Sequence, residues 1–288
     1  MNNGRFKNQT AIITGGSRGI GKEIARAFAR EGCSLVLAAR TREELTQAAT
    51  EIIQESGVPV ETFVVDISNE REVRLMVEKV LKRFGRIDIL VNNAAIVGPI
   101  GRLENCDSDK WEQTIKVNLC GTFFVTKAVL PCMVREHRGV IINLAGGGIF
   151  TPLPRFSAYA ASKAAIARLT ETLAEEVKPD GIRVNAIIPG GINTRMFEET
   201  LSAGEERLGT SQWEELSQRK VSGGGSAENV ARLAVFLASP NTQEMTGRTI
   251  SARWDSWEKL AAHIKELMDS DIFTLRRIKP EDRGKQWK

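Results

Sequence analysis

Residues 11–30 read AIITGGSRGIGKEIARAFAR, and this stretch decides the fold. Its apolar start predicts a buried strand, and residues 20–30 place their apolar side chains on one helical face. Gly15, Gly19 and Gly21 lie between the two elements. Such a turn suits a nucleotide, because the backbone can approach a pyrophosphate and the helix N-terminus offers N–H donors. The alternative is a tight strand–helix turn without a ligand.

The same alternation of short apolar runs and longer helical patterns continues to about residue 190. It is typical of βαβ units, whose right-handed crossovers build a doubly wound parallel sheet. We therefore predict an α/β Rossmann-type fold with helices on both faces of the sheet, followed by a C-terminal helix and tail. Predicted strands lie at 11–13, 35–39, 62–65, 87–91, 140–144, 183–188 and 248–251, and predicted long helices at about 109–136 and 157–177.

Composition and charge narrow the class of protein. The chain has 288 residues, 42% hydrophobic and 26% charged, which is ordinary for a soluble globular protein. Its net charge of +4 is spread out, which argues against nucleic-acid binding. We find no apolar run of membrane-spanning length and no signal peptide, so we expect a cytoplasmic protein without membrane contact. The four cysteines and two histidines do not cluster, which predicts no metal site.

Tyr159 is the only tyrosine in the chain, and Lys163 follows it by four residues. Because four residues make about one helical turn, both side chains are predicted to project from the same helix face. A phenol titrates near ~10, and a nearby ammonium favours the phenolate and makes it useful for acid–base chemistry. Together with the glycine turn, this pair indicates hydride transfer in which the tyrosine handles the proton.

The residues after the second predicted strand bear on the choice of cofactor. An acid there would bind the ribose 2′-OH of NAD, but residues 39–42 read ARTR and the first acid is Glu43. Arg40, with Arg18 approaching from the glycine turn, suits a 2′-phosphate. We therefore predict NADP(H); the alternative is a pair of solvated surface arginines.

Five motifs within residues 6–251 resemble those of the short-chain dehydrogenase/reductase family. They are TGGSRGIG at 14–21, Asp66 with NNAA at 92–95, Asn118, YAASK at 159–163 and PGGINT at 189–194. The resemblance implies a Rossmann domain over 1–251 that transfers a hydride between NADP(H) and a small carbonyl or alcohol. It also implies a homodimer or homotetramer.

The resemblance further implies a role for each matching residue. Tyr159 would be the acid/base, Lys163 would bind the nicotinamide ribose and lower the pKa of Tyr159, and Asn118 would anchor a water linking Lys163 to solvent. The implied cofactor contacts are Gly15, Ser17, Arg18, Gly19, Ile20 and Gly21 in the glycine turn; Arg40, Asp66, Ile67, Asn92 and Ala94 around the adenosine; and Tyr159, Lys163, Pro189, Ile192 and Thr194 at the nicotinamide.

One position departs from the family pattern. The family usually has a serine thirteen residues before the tyrosine, where its hydroxyl bonds the substrate oxygen; this chain has Gly146 there and Ala145 beside it. Losing one such donor typically costs ~10²–10³ in rate. We expect a slower enzyme unless Thr151, Ser157 or a substrate hydroxyl takes over. The rival hypothesis is an NADP(H)-binding sensor or complex partner with little turnover.

Two segments lie outside the alternating pattern. Residues 194–225 mix apolar and charged side chains and are predicted to form a lid over the substrate, with a surface helix pair as the alternative. In the extension 252–288, Asp255 is predicted to cap a helix with Glu258 completing a capping box. That helix packs on its own domain or on a neighbouring subunit. For the basic tail we consider three alternatives: it covers a neighbouring subunit's site, it binds an anionic substrate, or it is solvated. The basic tail and the missing serine together favour a polar substrate that is sugar-like or anionic.

Overall fold

The computed structural model describes residues 4–286 and contains a seven-stranded sheet in which every neighbouring pair of strands is parallel. The strand order is β3-β2-β1-β4-β5-β6-β7, which confirms the doubly wound α/β prediction. The strands are β1 Thr10–Thr14, β2 Ser34–Ala39, β3 Val60–Val64, β4 Ile89–Asn92, β5 Gly139–Leu144, β6 Ile182–Ile188 and β7 Thr249–Ser251. The order reverses between β1 and β4, where ligands bind in folds of this kind.

Helices cover both faces of the sheet. They are α1 Gly19–Arg30, α2 Arg42–Ser56, α3 Glu70–Phe84, α4 Ser108–Ile115, α5 Gly121–Arg135, α6 Ser157–Val177, α7 Arg195–Leu201, α8 Gly204–Leu208, α9 Thr210–Ser222, α10 Ala227–Ala238 and α11 Ile264–Met268. One core cluster joins the sheet to α1, α2 and α10, and the other joins it to α3, α5 and α6. Because both faces are covered, strands such as β4 and β5 are buried along their whole length.

A π-helical turn, Lys116–Cys120, joins α4 to α5, so that one helical stretch runs over Ser108–Arg135. Within residues 4–286 this is the single helix long and apolar enough to cross a membrane by length and composition. The expectation that no apolar run reaches that length is therefore wrong. Half of the apolar window is buried inside the protein, where the helix packs against α3 and α6. Core packing thus accounts for its apolar composition.

The described part of the C-terminal extension packs on its own domain. The Trp257 ring is buried, with its centroid 5.4 Å from the Phe236 ring of α10. The Arg248 guanidinium donates to the carbonyl oxygens of Leu267 and Ser270, at 2.9 Å each. These contacts favour packing of the extension on its own domain over packing on a neighbouring subunit.

The predicted cap of that extension is wrong. The Asp255 carboxylate accepts a hydrogen bond from the backbone N–H of Ser251 at 2.7 Å. In place of one helix, a 3-10 segment, Trp257–Ala262, precedes the short α11. The interruption falls at His263, whose backbone is not helical. Residues 287 and 288 of the predicted tail lie outside the described residues.

Replacing Trp257 by alanine tests this packing. The Trp257 side chain is 3% exposed, so Trp257→Ala should lower the free energy of unfolding by ~3–5 kcal/mol. Trp254→Ala is the matched control, because Trp254 is 68% exposed and should change stability by less than ~0.5 kcal/mol. Urea unfolding followed by circular dichroism measures both. Equal effects of the two substitutions would contradict the packing.

Candidate active site

A cleft of about 300 Å³ opens where the strand order reverses. Its walls come from the glycine turn, the ends of β2 to β5, the first two turns of α6 and the start of α7. Most of the residues predicted to bind a cofactor line it. They are Gly15, Ser17, Arg18, Gly19, Ile20, Gly21, Arg40, Asp66, Ile67, Ala94, Tyr159, Lys163, Pro189 and Thr194.

The glycine turn needs residues without side chains for two separate reasons. Gly15 and Gly19 have φ angles of 65° and 54°, in the left-handed region that favours glycine. At Gly21 a Cβ would collide with the carbonyl oxygen of Gly15. The Asn93 amide ties this turn to the end of β4, donating to the carbonyl oxygens of Thr14 and Gly15 at 2.9 and 3.1 Å. The backbone therefore stays open to the cleft.

Two predicted contacts do not reach the cleft wall. The Asn92 side chain is buried and donates to Thr126 Oγ1 and Asn143 Oδ1 at 3.0 and 2.9 Å. Because successive residues of a strand face opposite ways, its neighbour Asn93 lines the cleft instead. Ile192 is likewise buried in the core cluster beside α1 and α10. Asn92 and Ile192 thus do not line the cleft, and a cofactor contact by either residue stays a prediction.

Tyr159 and Lys163 both project from α6 into the cleft. The Lys163 Nζ donates to the carbonyl oxygen of Leu144 at 2.7 Å and lies 5.7 Å from the Tyr159 ring centroid. Burial raises the pKa of Tyr159 to about 12 and lowers the pKa of Lys163 to about 8, since desolvation disfavours both charged forms. In the protein alone burial therefore sets the direction of the Tyr159 pKa shift, and the lowering of this pKa by Lys163 stays a prediction.

Asn118 is completely buried in the π-helical turn. Its side chain binds both backbone groups of Ile96, accepting from the N–H at 2.8 Å and donating to the carbonyl at 2.9 Å. It also donates to Ser162 Oγ at 3.0 Å. Asn118 thus fixes the loop after β4 against α6 at Ser162, the residue before Lys163. Its predicted water-anchoring role stays a prediction.

The position of the missing serine adjoins the tyrosine hydroxyl. A Cβ built on Gly146 would lie 2.6 Å from Tyr159 Oη and 3.3 Å from Lys163 Cγ. The two proposed substitutes lie elsewhere, since neither Thr151 nor Ser157 lines the cleft. Ser157 Oγ accepts a hydrogen bond from Trp111 Nε1 at 3.1 Å. The structure therefore brings neither hydroxyl to the site.

The side chains around Tyr159 on the lid side are apolar. A small core cluster, separate from the two beside the sheet, is built on Phe156 and on three lid residues, Phe197, Leu208 and Leu216. Partly buried hydrophobic residues that pack against this cluster are Val97, Ile100, Leu153, Tyr159, Leu201, Ala203 and Trp213. Helices α7 to α9, the segment predicted to form a lid, therefore pack against the same apolar cluster as Tyr159, and closure of this segment over a substrate stays a prediction.

Sequence reasoning missed an acidic residue in the cleft. Glu44, in the first turn of α2, lines the cleft and pairs with Arg18 at 3.3 Å and with Arg195 at 3.1 Å. A signal was present: Glu44 precedes the buried Ala48 by one helical turn, so it faces inward. Its pairing with Arg195 joins residues 151 positions apart, which no local pattern indicates.

Comparisons with known proteins agree with this geometry. A family model described as short chain dehydrogenase matches residues 9–204. A 3-oxoacyl-acyl-carrier-protein reductase of Thermotoga maritima is 34% identical over 248 residues, or 85% of this chain and 96% of the relative. NAD⁺-bound xylitol dehydrogenase superposes with a TM-score of 0.80 at 29% identity, covering 86% of this chain and 98% of that one. An actinorhodin polyketide ketoreductase with NADPH gives 0.78 at 30% identity, covering 84% and 95%.

Titration of the single tyrosine tests the electrostatics of the site. Because burial raises the pKa of Tyr159 to about 12, the native protein should keep its phenol protonated at pH 10.5, where an exposed phenol is mostly ionised. Tyrosinate absorbance at 295 nm reports Tyr159 alone, since the chain has one tyrosine. Protein unfolded in urea is the control and should titrate near ~10. Half-ionisation of the native protein below pH 9 would contradict the result expected.

Proposed function

The chain belongs to the short-chain dehydrogenase family, and on that basis we propose that it is an oxidoreductase that interconverts apolar carbonyl compounds and alcohols with NADP(H). The observation that carries the proposal is the meeting of Tyr159, Lys163 and the glycine turn in one cleft. The Tyr159 phenol, which can act as an acid, and the glycine-turn backbone, which suits phosphates, then line the same cleft. Assembly into a homodimer or homotetramer and location in the cytoplasm stay predictions from the sequence.

The cleft fits a dinucleotide. The Cβ-free glycine turn leaves room for a pyrophosphate, and Asp66 and Ile67, which line the same cleft, would hold the adenosine. The preference for NADP(H) over NAD(H) is supported by Arg40, which is exposed at the cleft wall and makes no bond to another described residue. A free guanidinium there suits a 2′-phosphate. Bound in this position, the nicotinamide would supply or accept the hydride.

Tyr159 would hold the proton that the reaction needs. With its pKa raised to about 12 by burial, the phenol is protonated at neutral pH and can donate to the oxygen of a carbonyl substrate. Lys163, whose pKa is lowered to about 8, still carries its charge at pH 7. Held by the Leu144 carbonyl, it lies where it would bind a ribose hydroxyl and favour proton release by Tyr159.

The surroundings of Tyr159 support an apolar substrate rather than the polar or anionic one favoured by the sequence. Phe197, Leu153 and Trp213 belong to the hydrophobic cluster that contacts the tyrosine. Burying a sugar there would leave hydroxyls without partners, which costs free energy. Within the basic tail, Arg276 is paired with both Asp271 and Asp282 and is therefore less available to an anion. We therefore assign the substrate to apolar ketones or the matching alcohols.

Replacing Tyr159 by phenylalanine tests the catalytic proposal. Tyr159→Phe removes the acidic hydroxyl but keeps the ring, so NADPH oxidation with apolar cyclic ketones should fall at least ~10²-fold. The dissociation constant of NADPH, measured by calorimetry, should change less than about threefold. Keto-sugars in the same panel are the control for substrate class. If the unsubstituted protein binds NADPH and reduces none of the ketones, the non-enzymatic hypothesis replaces this one.

Restoring the serine at Gly146 should not restore activity by itself. A Cβ there lies 2.6 Å from Tyr159 Oη, so Gly146→Ser must displace the phenol before its hydroxyl can help. We expect Gly146→Ser to lower kcat by ~10-fold, since small misplacements of a catalytic group are costly. Ala145→Ser is the matched control, because the Ala145 side chain already faces the cleft. A faster Gly146→Ser enzyme would contradict the expected clash.

A further inference from the structure

One carboxylate connects three separate elements at the edge of the cleft. Glu44 Oε1 accepts from Arg18 of the glycine turn at 3.3 Å and from Arg195 of α7 at 3.1 Å. Its second oxygen, Oε2, accepts from Ser17 Oγ at 3.3 Å. All four residues line the cleft. We call Arg18, Glu44 and Arg195 the Glu44 clasp.

The clasp ties the lid to the glycine turn. Arg195 is the first residue of α7, and the preceding Thr194 already approaches the turn, since a Cβ on Gly19 would lie 3.5 Å from Thr194 Cγ2. Arg195 also pairs with Glu199 one turn further along α7 at 3.2 Å. The start of α7 is therefore fixed to the cleft wall by its first residue.

The same carboxylate competes with a phosphate for an arginine. Arg18 is one of the two guanidiniums assigned to the 2′-phosphate, and in this structure it is paired with Glu44. A phosphate beside Arg18 would meet the negative charge of Glu44 unless the carboxylate moves away. Arg40, by contrast, has no competing acid among residues 4–286. The two arginines of the proposed site therefore differ in availability.

We propose that Glu44 is a specificity-determining residue that occupies Arg18 in the cofactor-free protein, holds the lid through Arg195, and weakens binding of the 2′-phosphate. The inference rests on the proposed use of NADP(H). When a 2′-phosphate takes Arg18, charge repulsion moves the Glu44 carboxylate away, so that its contacts with Ser17 and Arg195 break as well and α7 loses its tie to the glycine turn. Binding of the phosphorylated cofactor is thereby coupled to release of the lid, whereas NAD(H), which lacks the phosphate, leaves the clasp closed.

Charge removal at Glu44 tests the cofactor half of the proposal. An exposed ion pair is worth at most a factor of about five in an equilibrium constant, so Glu44→Gln should tighten NADPH binding about three- to fivefold. Binding of NADH should change less than about twofold, and both dissociation constants are measured by calorimetry. Glu43→Gln is the matched control: it changes the net charge equally from the same helical turn, but Glu43 is exposed and does not line the cleft.

Limited trypsin digestion of the cofactor-free protein tests the lid half. Glu44→Gln and Arg195→Gln should each speed cleavage within residues 195–222, and Glu43→Gln should not. Because both substitutions remove one interaction, the double variant should be cleaved no faster than the quicker single variant. Mass spectrometry locates the cut, with Arg207, exposed in the lid, as the expected site.

Different outcomes distinguish this inference from the proposed function. Weaker NADH binding by Glu44→Gln would overturn the inference, because the carboxylate would then be binding a ribose hydroxyl. Unchanged NADPH binding together with unchanged proteolysis would also overturn it. Failure of the unsubstituted protein to bind NADPH would instead refute the proposed cofactor, and the digestion experiment would then decide on its own whether the clasp holds the lid.

Discussion

The close approach of β1, α1 and β4 at the glycine turn is the constraint on which the rest of the site depends. Gly21 packs so tightly against the Gly15 carbonyl that no side chain fits, and the Asn93 amide bonds the same turn from β4. Because these contacts are made by backbone and by one amide, the turn is held without filling the space above it. The cleft stays open because the turn that joins β1 to α1 is built from glycines, which have no side chains to fill it.

Desolvation dominates the chemistry at the other end of the cleft. Tyr159 and Lys163 share a helix face, yet burial shifts the pKa of each side chain separately. Burial disfavours both the phenolate of Tyr159 and the ammonium of Lys163. The Lys163 ammonium donates its hydrogen bond to the Leu144 carbonyl oxygen rather than to the Tyr159 phenol. In the protein alone the Tyr159 phenol is therefore protonated at neutral pH. A ribose bound between Tyr159 and Lys163 would change the contacts of both side chains.

Apolar contacts and an ion pair both hold the helices α7 to α9. Hydrophobic side chains of α7 to α9 pack over Tyr159, while the first residue of α7 is held by Glu44 at the cofactor end. Salt screens the attraction between exposed charges, but it does not screen contacts between apolar side chains. The lid is thus fixed firmly where a substrate would bind and more weakly where a cofactor phosphate would compete.

The sequence by itself determined the fold and most of the cleft, because hydrophobic periodicity, glycine spacing and a four-residue helical repeat are local patterns. The doubly wound parallel sheet, the shared face of Tyr159 and Lys163, and the glycine turn all follow from them. Tertiary structure alone decided the pKa directions, the inward face of Asn92 and the pairing of Glu44 with Arg195. The reason is physical: burial and ion pairing depend on which distant residues come together, and 151 positions separate Glu44 from its partner on the lid.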